Sequence, residues 1–196
     1  MGIRNVTELA HRKPRGVFLD RDGVINRALV RDGKPYPPAT LEELEILPDA
    51  PSALSDLRDC GFLLLVVTNQ PDVGRGLQQR DVVERMNQIL VSALPLDEVL
   101  VCYHSGDEAC DCRKPRPGLL LRAARDWNLD LGRSFMIGDR WRDIEAGHNA
   151  GCITILIDRN YREVAPACPP DVTVKSLREA ADWILRSVGH GGDFEN

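Results

Sequence analysis

An α/β fold, a Rossmann-like parallel sheet with helices on both faces, is the class this sequence predicts. Three observations carry the expectation. Apolar runs of strand length, such as Phe62-Leu63-Leu64-Leu65-Val66-Val67, are continuous rather than alternating, as strands covered on both faces require. Amphipathic segments of helical period separate these runs. Polar residues follow most of the runs, and in such sheets ligands bind beyond the carboxyl ends of the strands.

The elements follow in order. Residues 16–20 are a short apolar run ending on Asp20, read as the first strand. Asp49 opens a helix through Leu57, with Gly61 where a C-terminal glycine belongs. Residues 62–67 form the second strand, ending at Thr68. Residues 79–94 carry Val82, Val83, Met86, Ile89, Leu90 and Ala93 at helical spacing, and 98–103 form the third strand. Residues 117–128 read as a helix with Pro117 in its first turn, where a missing N–H does no harm. The fourth strand, 134–137, runs into Gly138-Asp139; a short helix over 141–149 is closed by Gly151; the fifth strand is 152–157. A last amphipathic helix, 177–188, precedes a frayed tail over 189–196. No repeat or linker interrupts this order, so residues 1–196 read as a single domain with its core over about 16–188. Residues 32–47, with Pro35, Pro37 and Pro38, are either a flap over the strand ends or a plain connection.

Composition bounds the function. Apolar residues at 43% suffice for a core, and a net charge of −5 argues against a general nucleic-acid binder. No apolar stretch approaches the ~20 residues that span a bilayer, and the polar first 15 residues lack the apolar core of a secretory signal. The expected location is therefore the cytoplasm, without a membrane partner. In that compartment clustered cysteines more often hold a metal than form disulfides.

The strand ends carry the chemistry. The first ends in Asp20-Arg21-Asp22-Gly23, the second in Thr68-Asn69-Gln70, and the fourth in Gly138-Asp139 with Asp143 one helical turn later. The third leads into a loop that ends Cys112-Arg113-Lys114-Pro115. One acid after a strand is usually a cap or turn residue; several such endings on one sheet edge suit phosphoryl transfer. Asp20 can attack phosphorus, and Asp22 can protonate the leaving oxygen. Asp20 with Asp139 makes a hard oxygen site suited to Mg²⁺. Thr68 and the N–H groups after it can bond phosphoryl oxygens, and Lys114 can neutralise their charge. In the loop, Cys102-x-His104 and Cys110-x-Cys112 offer three thiolates and one imidazole, a closed tetrahedral set for structural Zn²⁺ over residues 102–112. The bland alternative is four unrelated loop residues. Cys60 and Cys152 flank apolar segments and read as small core residues, while Cys168 has no evident role.

At these residues the sequence resembles the haloacid dehalogenase (HAD) superfamily of phosphatases. The matching motifs are Phe18-Leu19-Asp20-Arg21-Asp22-Gly23-Val24-Ile25-Asn26, Val66-Val67-Thr68-Asn69-Gln70, Arg113-Lys114-Pro115, and Ile137-Gly138-Asp139 with Asp143, spanning about residues 16–158. Within the superfamily it is similar to the heptose 1,7-bisphosphate phosphatases and the related histidinol-phosphate phosphatases, both of which carry a zinc loop before the lysine motif. The resemblance implies a HAD-like core without a large cap, Asp20 as nucleophile and Asp22 as general acid/base. It implies Mg²⁺ held by Asp20, Asp139 and the backbone carbonyl of Asp22. It places Thr68, Asn69, Gln70, Arg113, Lys114 and Arg140 around the reacting phosphate and the rest of the substrate.

Two positions depart from the family pattern. Tyr103 replaces a proline between the first cysteine and the histidine, and Pro71-Asp72 replaces Ser-Gly, removing one N–H. Arg75, Arg113, Arg116, Arg140 and Arg142 are a fork for a second phosphate or ordinary solvated surface; a bias of 21 arginines to four lysines weakens the case for any one. His148 reads as structural, His11 and His190 suggest nothing, and Trp127, Trp141 and Trp183 read as packing residues. The expected activity is Mg²⁺-dependent removal of the C7 phosphate of a heptose 1,7-bisphosphate by a monomeric enzyme of nucleotide-activated heptose biosynthesis. The alternatives are histidinol-phosphate hydrolysis and a non-catalytic, zinc-stabilised binding module.

Overall fold

The computed structural model describes residues 13–106 and 109–189. The expected tail, from residue 190, and His11 and His190 lie outside them. The centre is β1 (Gly16–Leu19), flanked by β4 (Leu63–Asn69) and β6 (Phe135–Gly138). Beyond β4 lies β5 (Glu98–Cys102); beyond β6 lie β7 (Ile153–Ile157) and β8 (Val172–Val174). All neighbours are parallel, in the order β5-β4-β1-β6-β7-β8. The chain moves outward from β1 through β4 to β5, then returns to the other side of β1, so a crevice opens beyond its carboxyl end.

The continuous apolar runs divide by parity. Val17, Leu19, Leu64, Val66, Phe135 and Ile137 enter one core layer; Phe18, Leu65, Val67 and Met136 enter the other. The first layer is covered by α1 (Ala50–Asp59), by Leu90 of α3 (Arg80–Ala93) and by α6 (Leu177–Gly189); the second by α4 (Gly118–Asp126) and α5 (Trp141–Ala150). Each such side chain contributes about 1.5–3 kcal/mol on burial, so both faces are needed to offset the entropy of ordering the strands.

Helix ends fall within a few residues of the expected ones. Gly151 closes α5 with φ +80°, a conformation that favours glycine. Asp49 sits before α1 without capping it; its carboxylate instead accepts the N–H of Arg178 in the first turn of α6, tying the two helices together. Cys152 is buried as expected, but Cys60 is exposed at the end of α1, where the chain turns before entering the sheet.

The structure adds elements the pattern did not predict. Residues 32–47 begin inside an antiparallel hairpin of β2 (Leu29–Arg31) and β3 (Lys34–Tyr36), turning on Asp32 and Gly33, both at positive φ. A one-turn helix α2 (Pro71–Gly74) follows β4, with Pro71 in its first turn. Among the described residues no helix is long and apolar enough to cross a membrane.

Candidate active site

Asp20 follows β1 directly, and its backbone N–H bonds the Ile137 carbonyl, so β1 and β6 end side by side. Lys114 arrives from the loop after β5 and is 2% exposed. Its Nζ donates to Asp20 Oδ1 at 2.8 Å, Asp143 Oδ1 at 2.6 Å and the Val67 carbonyl at 2.7 Å. An ammonium has three protons, and all three are committed. Asp143 occupies the first turn of α5, where its other oxygen accepts the Arg140 N–H at 3.1 Å. Carboxylate oxygens of Asp20, Asp139 and Asp143 lie within 4.8 Å of one another.

Three acids around one lysine leave the balance negative. Burial raises the Asp20 carboxyl to about 6; Lys114 opposes that rise and Asp143 adds to it. Burial pushes Asp139 well above the ordinary range, and the charges of Asp20 and Asp143 push it further. Burial alone would depress Lys114, yet the carboxylates of Asp143 and Asp20 outweigh it and hold the ammonium above its usual value. Among the described residues neither oxygen of Asp139 has a hydrogen-bond partner although both are buried; the Tyr161 phenol flanks the carboxylate and eases its charge without reaching hydrogen-bond geometry. A buried, unpartnered carboxylate beside another acid fits a hard cation, which would be held by Asp20 and Asp139. Gly23 keeps this approach open. Its φ is +90°, and a Cβ there would stand 1.8 Å from Asp139 Oδ2.

A cavity of about 300 Å³ opens onto Asp20, Asp22, Thr68, Asn69, Arg113 and Lys114. Arg140 also lines it, but its guanidinium is paired with Glu163 of the β7–β8 connection, through Nε at 2.9 Å and through Nη2. Asn69 makes a reciprocal pair with the backbone of Lys114, donating Nδ2 to its carbonyl and accepting its N–H. Its amide therefore sets the lysine's position. Gln70 departs from the expected substrate contact. It is buried, it does not line the cavity, and its Nε2 donates to Asp22 Oδ2 at 2.8 Å and to Thr68 Oγ1 at 3.0 Å. A carboxamide with its donor spent on two neighbours faces inward rather than toward a ligand.

Further residues line the cavity or support it, some of them in the 32–47 segment expected as either a flap or a plain connection. Lys34, Pro35 and Tyr36 of the hairpin form part of its wall, so this segment covers the strand ends. Arg159 donates to the Gly23 carbonyl, Tyr161 flanks Asp139 and Glu163 holds Arg140, so three residues of one irregular stretch face the site. That stretch has no regular element, and no periodicity marked it. Arg75 and Arg142 line the cavity as well, whereas Arg116 is exposed and donates to the Cys110 carbonyl.

The soft cluster lies beside this cavity. Cys112 Sγ is 3.0 Å from Cys102 Sγ and 3.1 Å from His104 Nδ1, and Cys110 Sγ is 3.9 Å from Cys102 Sγ. All four ligand atoms lie within 4.8 Å of one another. Burial pushes the Cys102 thiol up, with Cys112 adding to the effect. The donor set fits Zn²⁺. The loop also grips the cavity wall: Arg113 Nη1 donates to the His104 carbonyl at 2.9 Å.

The comparisons with known proteins agree with this geometry. A family model described as HAD-hydrolase-like matches residues 111–180. The D-glycero-beta-D-manno-heptose-1,7-bisphosphate 7-phosphatase of Helicobacter pylori is 34% identical over 179 residues, covering 87% of this chain and 97% of that one. The D-glycero-alpha-D-manno-heptose-1,7-bisphosphate 7-phosphatase of Burkholderia mallei is 33% identical over 196 residues, covering 93% of this chain and 100% of that one. The crystal structure of D,D-heptose 1,7-bisphosphate phosphatase from B. bronchiseptica, complexed with magnesium and phosphate, matches with a TM-score of 0.75 at 27% identity, covering 88% of this chain and 99% of that one. Related in sequence along most of its length and in fold throughout the sheet, this chain belongs to the HAD-like phosphatase family that includes these heptose-1,7-bisphosphate 7-phosphatases.

Proposed function

We propose that this chain is a Mg²⁺-dependent phosphatase that removes the C7 phosphate of a D-glycero-D-manno-heptose 1,7-bisphosphate through an aspartyl-phosphate on Asp20. The observation that carries the reading is Asp20 itself, which lines an open cavity, bonds Lys114 at 2.8 Å and shares a carboxylate cluster with Asp139. The names of the curated relatives support the substrate.

In this reading an Asp20 oxygen attacks phosphorus while the bond to the sugar oxygen breaks, and Asp22 gives that oxygen a proton. A water then attacks the aspartyl-phosphate, returns a proton to Asp22 and releases inorganic phosphate with Asp20 restored. Lys114 and the Thr68 hydroxyl offset charge on the phosphoryl oxygens. Asp20, Asp139 and the Asp22 carbonyl would hold Mg²⁺, which would supply positive charge to offset that of the phosphate. Lys34, Arg75, Arg113, Arg140 and Arg142 around the cavity give the second phosphate of such a sugar a cationic surround. Cys102, His104, Cys110 and Cys112 hold a structural Zn²⁺ that fixes the loop carrying Arg113 and Lys114. The protein acts as a cytoplasmic monomer in nucleotide-activated heptose biosynthesis.

A substrate panel with Mg²⁺ tests the reading. The heptose 1,7-bisphosphates of both anomers should exceed histidinol phosphate and simple sugar monophosphates in kcat/KM by at least about tenfold. A preference for histidinol phosphate would replace the sugar assignment while leaving the chemistry at Asp20 intact.

A further inference from the structure

Among the described residues Arg21 is the largest side chain with no exposure at all, though it lies between two residues of the catalytic motif. Burying a guanidinium is unfavourable unless its donors are matched. Arg21 Nε and Nη2 both reach Asp22, at 3.0–3.2 Å, spread over its two carboxylate oxygens. Nη1 turns the other way and donates to Oδ1 of Asn87 at 3.0 Å. Asn87 lies in the middle of α3, nearly buried, and does not line the cavity. Two more donors complete the set on Asp22: Asn26 Nδ2 reaches Oδ1 at 2.9 Å, and Gln70 Nε2 reaches Oδ2 at 2.8 Å.

A carboxylate offers about four lone-pair sites, and here three side chains occupy both oxygens from separate directions. Donors so arranged stop rotation about the bond that carries the carboxylate. The group still lines the cavity. We propose that Arg21, Asn26 and Gln70 form a buried clamp that fixes the Asp22 carboxylate at the leaving-group side of the site, and that Asn87 is a positioning residue that acts through Arg21. This rests on the reading of Asp22 as the acid for the leaving oxygen.

The clamp matters because proton transfer tolerates little misplacement; a shift near 1 Å costs about 10²-fold in rate. Without the Asn87 acceptor, one guanidinium arm is buried unpaired and Arg21 moves to find water, taking Asp22 with it. The damage falls only on steps that need a proton from Asp22. An alkyl phosphate leaves as a poor alkoxide and needs that proton; 2,4-dinitrophenyl phosphate leaves as a stable anion and does not. The ratio of kcat/KM for these two esters reports the first irreversible step, in which the leaving group departs.

The experiment measures that ratio, with glucose 6-phosphate as the alkyl ester, in parent protein, Asn87→Ala, Asn87→Asp, Gln70→Met and Asp22→Asn. Asn87→Ala should lower the ratio about tenfold while kcat/KM for the dinitrophenyl ester stays within about twofold. Asn87→Asp keeps an oxygen for Arg21 and should restore the ratio. Gln70→Met cuts the other arm of the clamp and should lower the ratio as well, so the proposal survives a poorly folding Asn87→Ala. Equal losses on both esters, or an unchanged ratio in both Asn87→Ala and Gln70→Met, would overturn it. Asp22→Asn separates the two claims: if it leaves the ratio unchanged, the assignment of Asp22 as the acid fails; if it collapses the ratio while the other variants do not, only the clamp fails.

Discussion

The carboxylate cluster and the cysteine–histidine cluster differ in how far the chain travels to build them. Asp20, Asp139 and Asp143 meet only after β1, β6 and the start of α5 are in place, with Lys114 added from the loop after β5. Cys102, His104, Cys110 and Cys112 fall within one short stretch that any turn can gather. The first cluster is buried hard charge in excess of its one cation. The second is soft and runs from buried Cys102 through half-buried Cys110 and Cys112 to exposed His104. Under the proposed function this is a division of labour: the long-range cluster would hold reactive charge at a cost in stability, and the local one would stiffen the loop that delivers the lysine.

Removing the reactive charge should separate chemistry from stability most sharply. Asp20→Asn should lower kcat by about 10⁴-fold or more, because it removes the nucleophile of the proposed mechanism. Its melting temperature should hold or rise, since the variant relieves crowding among Asp20, Asp139 and Asp143 while Lys114 keeps Asp143. A steep loss of stability with activity retained would reverse the roles assigned here. Lys114→Met should damage both properties. It leaves buried carboxylates without their cation, a change that costs about 3–5 kcal/mol in comparable pairs, and it removes positive charge from the phosphate site. Thermal unfolding and steady-state kinetics on one preparation check the pairing of effects.

The soft cluster should give the opposite profile. Stripping Zn²⁺, verified by metal analysis, or replacing Cys110 and Cys112 with serine should lower the melting temperature by roughly 10 °C. Activity should fall by only about tenfold, through loosening of Arg113 and Lys114. An unchanged melting curve after verified removal would leave the loop without its structural role.

Which parts were legible follows from the same contrast. The sheet was legible because strands covered on both faces must be apolar at successive positions, and that leaves a run no loop imitates. The cysteine loop was legible from local spacing. The acids became legible through their place after apolar runs, and Asp143 through its spacing from Asp139. The hairpin was missed although Asp32-Gly33 is a recognisable turn, because Pro35, Pro37 and Pro38 suggest irregular chain; Pro35 fits because it pairs with Val30 in an isolated two-stranded ribbon. Tyr161 and Glu163 belong to a connection placed only by long-range contacts, which no local pattern encodes. Gln70 was misread because a motif gives the order of residues but not the direction of a side chain.

The smallest expected effect concerns the charge the carboxylate cluster stores. The folded state raises Asp20 to about 6, against an ordinary value of 3.8. A carboxyl raised on folding favours the native state while protonated; that stability is complete below the ordinary value and is lost as pH rises through the folded one. Asp139, raised for the same reason, adds to the loss. Surface acids act in the opposite sense but lower down: hydrogen bonds from Arg27 and Lys175 depress Glu45 and Asp158, whose titration is complete before this window opens. Zinc-loaded protein dialysed free of Mg²⁺ should therefore lose a few degrees of melting temperature between about pH 5 and pH 7. Millimolar Mg²⁺ should flatten that slope by binding the ionised carboxylates of the native state alone. The difference between the two curves isolates the cluster from every pH effect that Mg²⁺ does not touch. Coincident curves would mean that Asp20 and Asp139 carry no charge for a cation to offset.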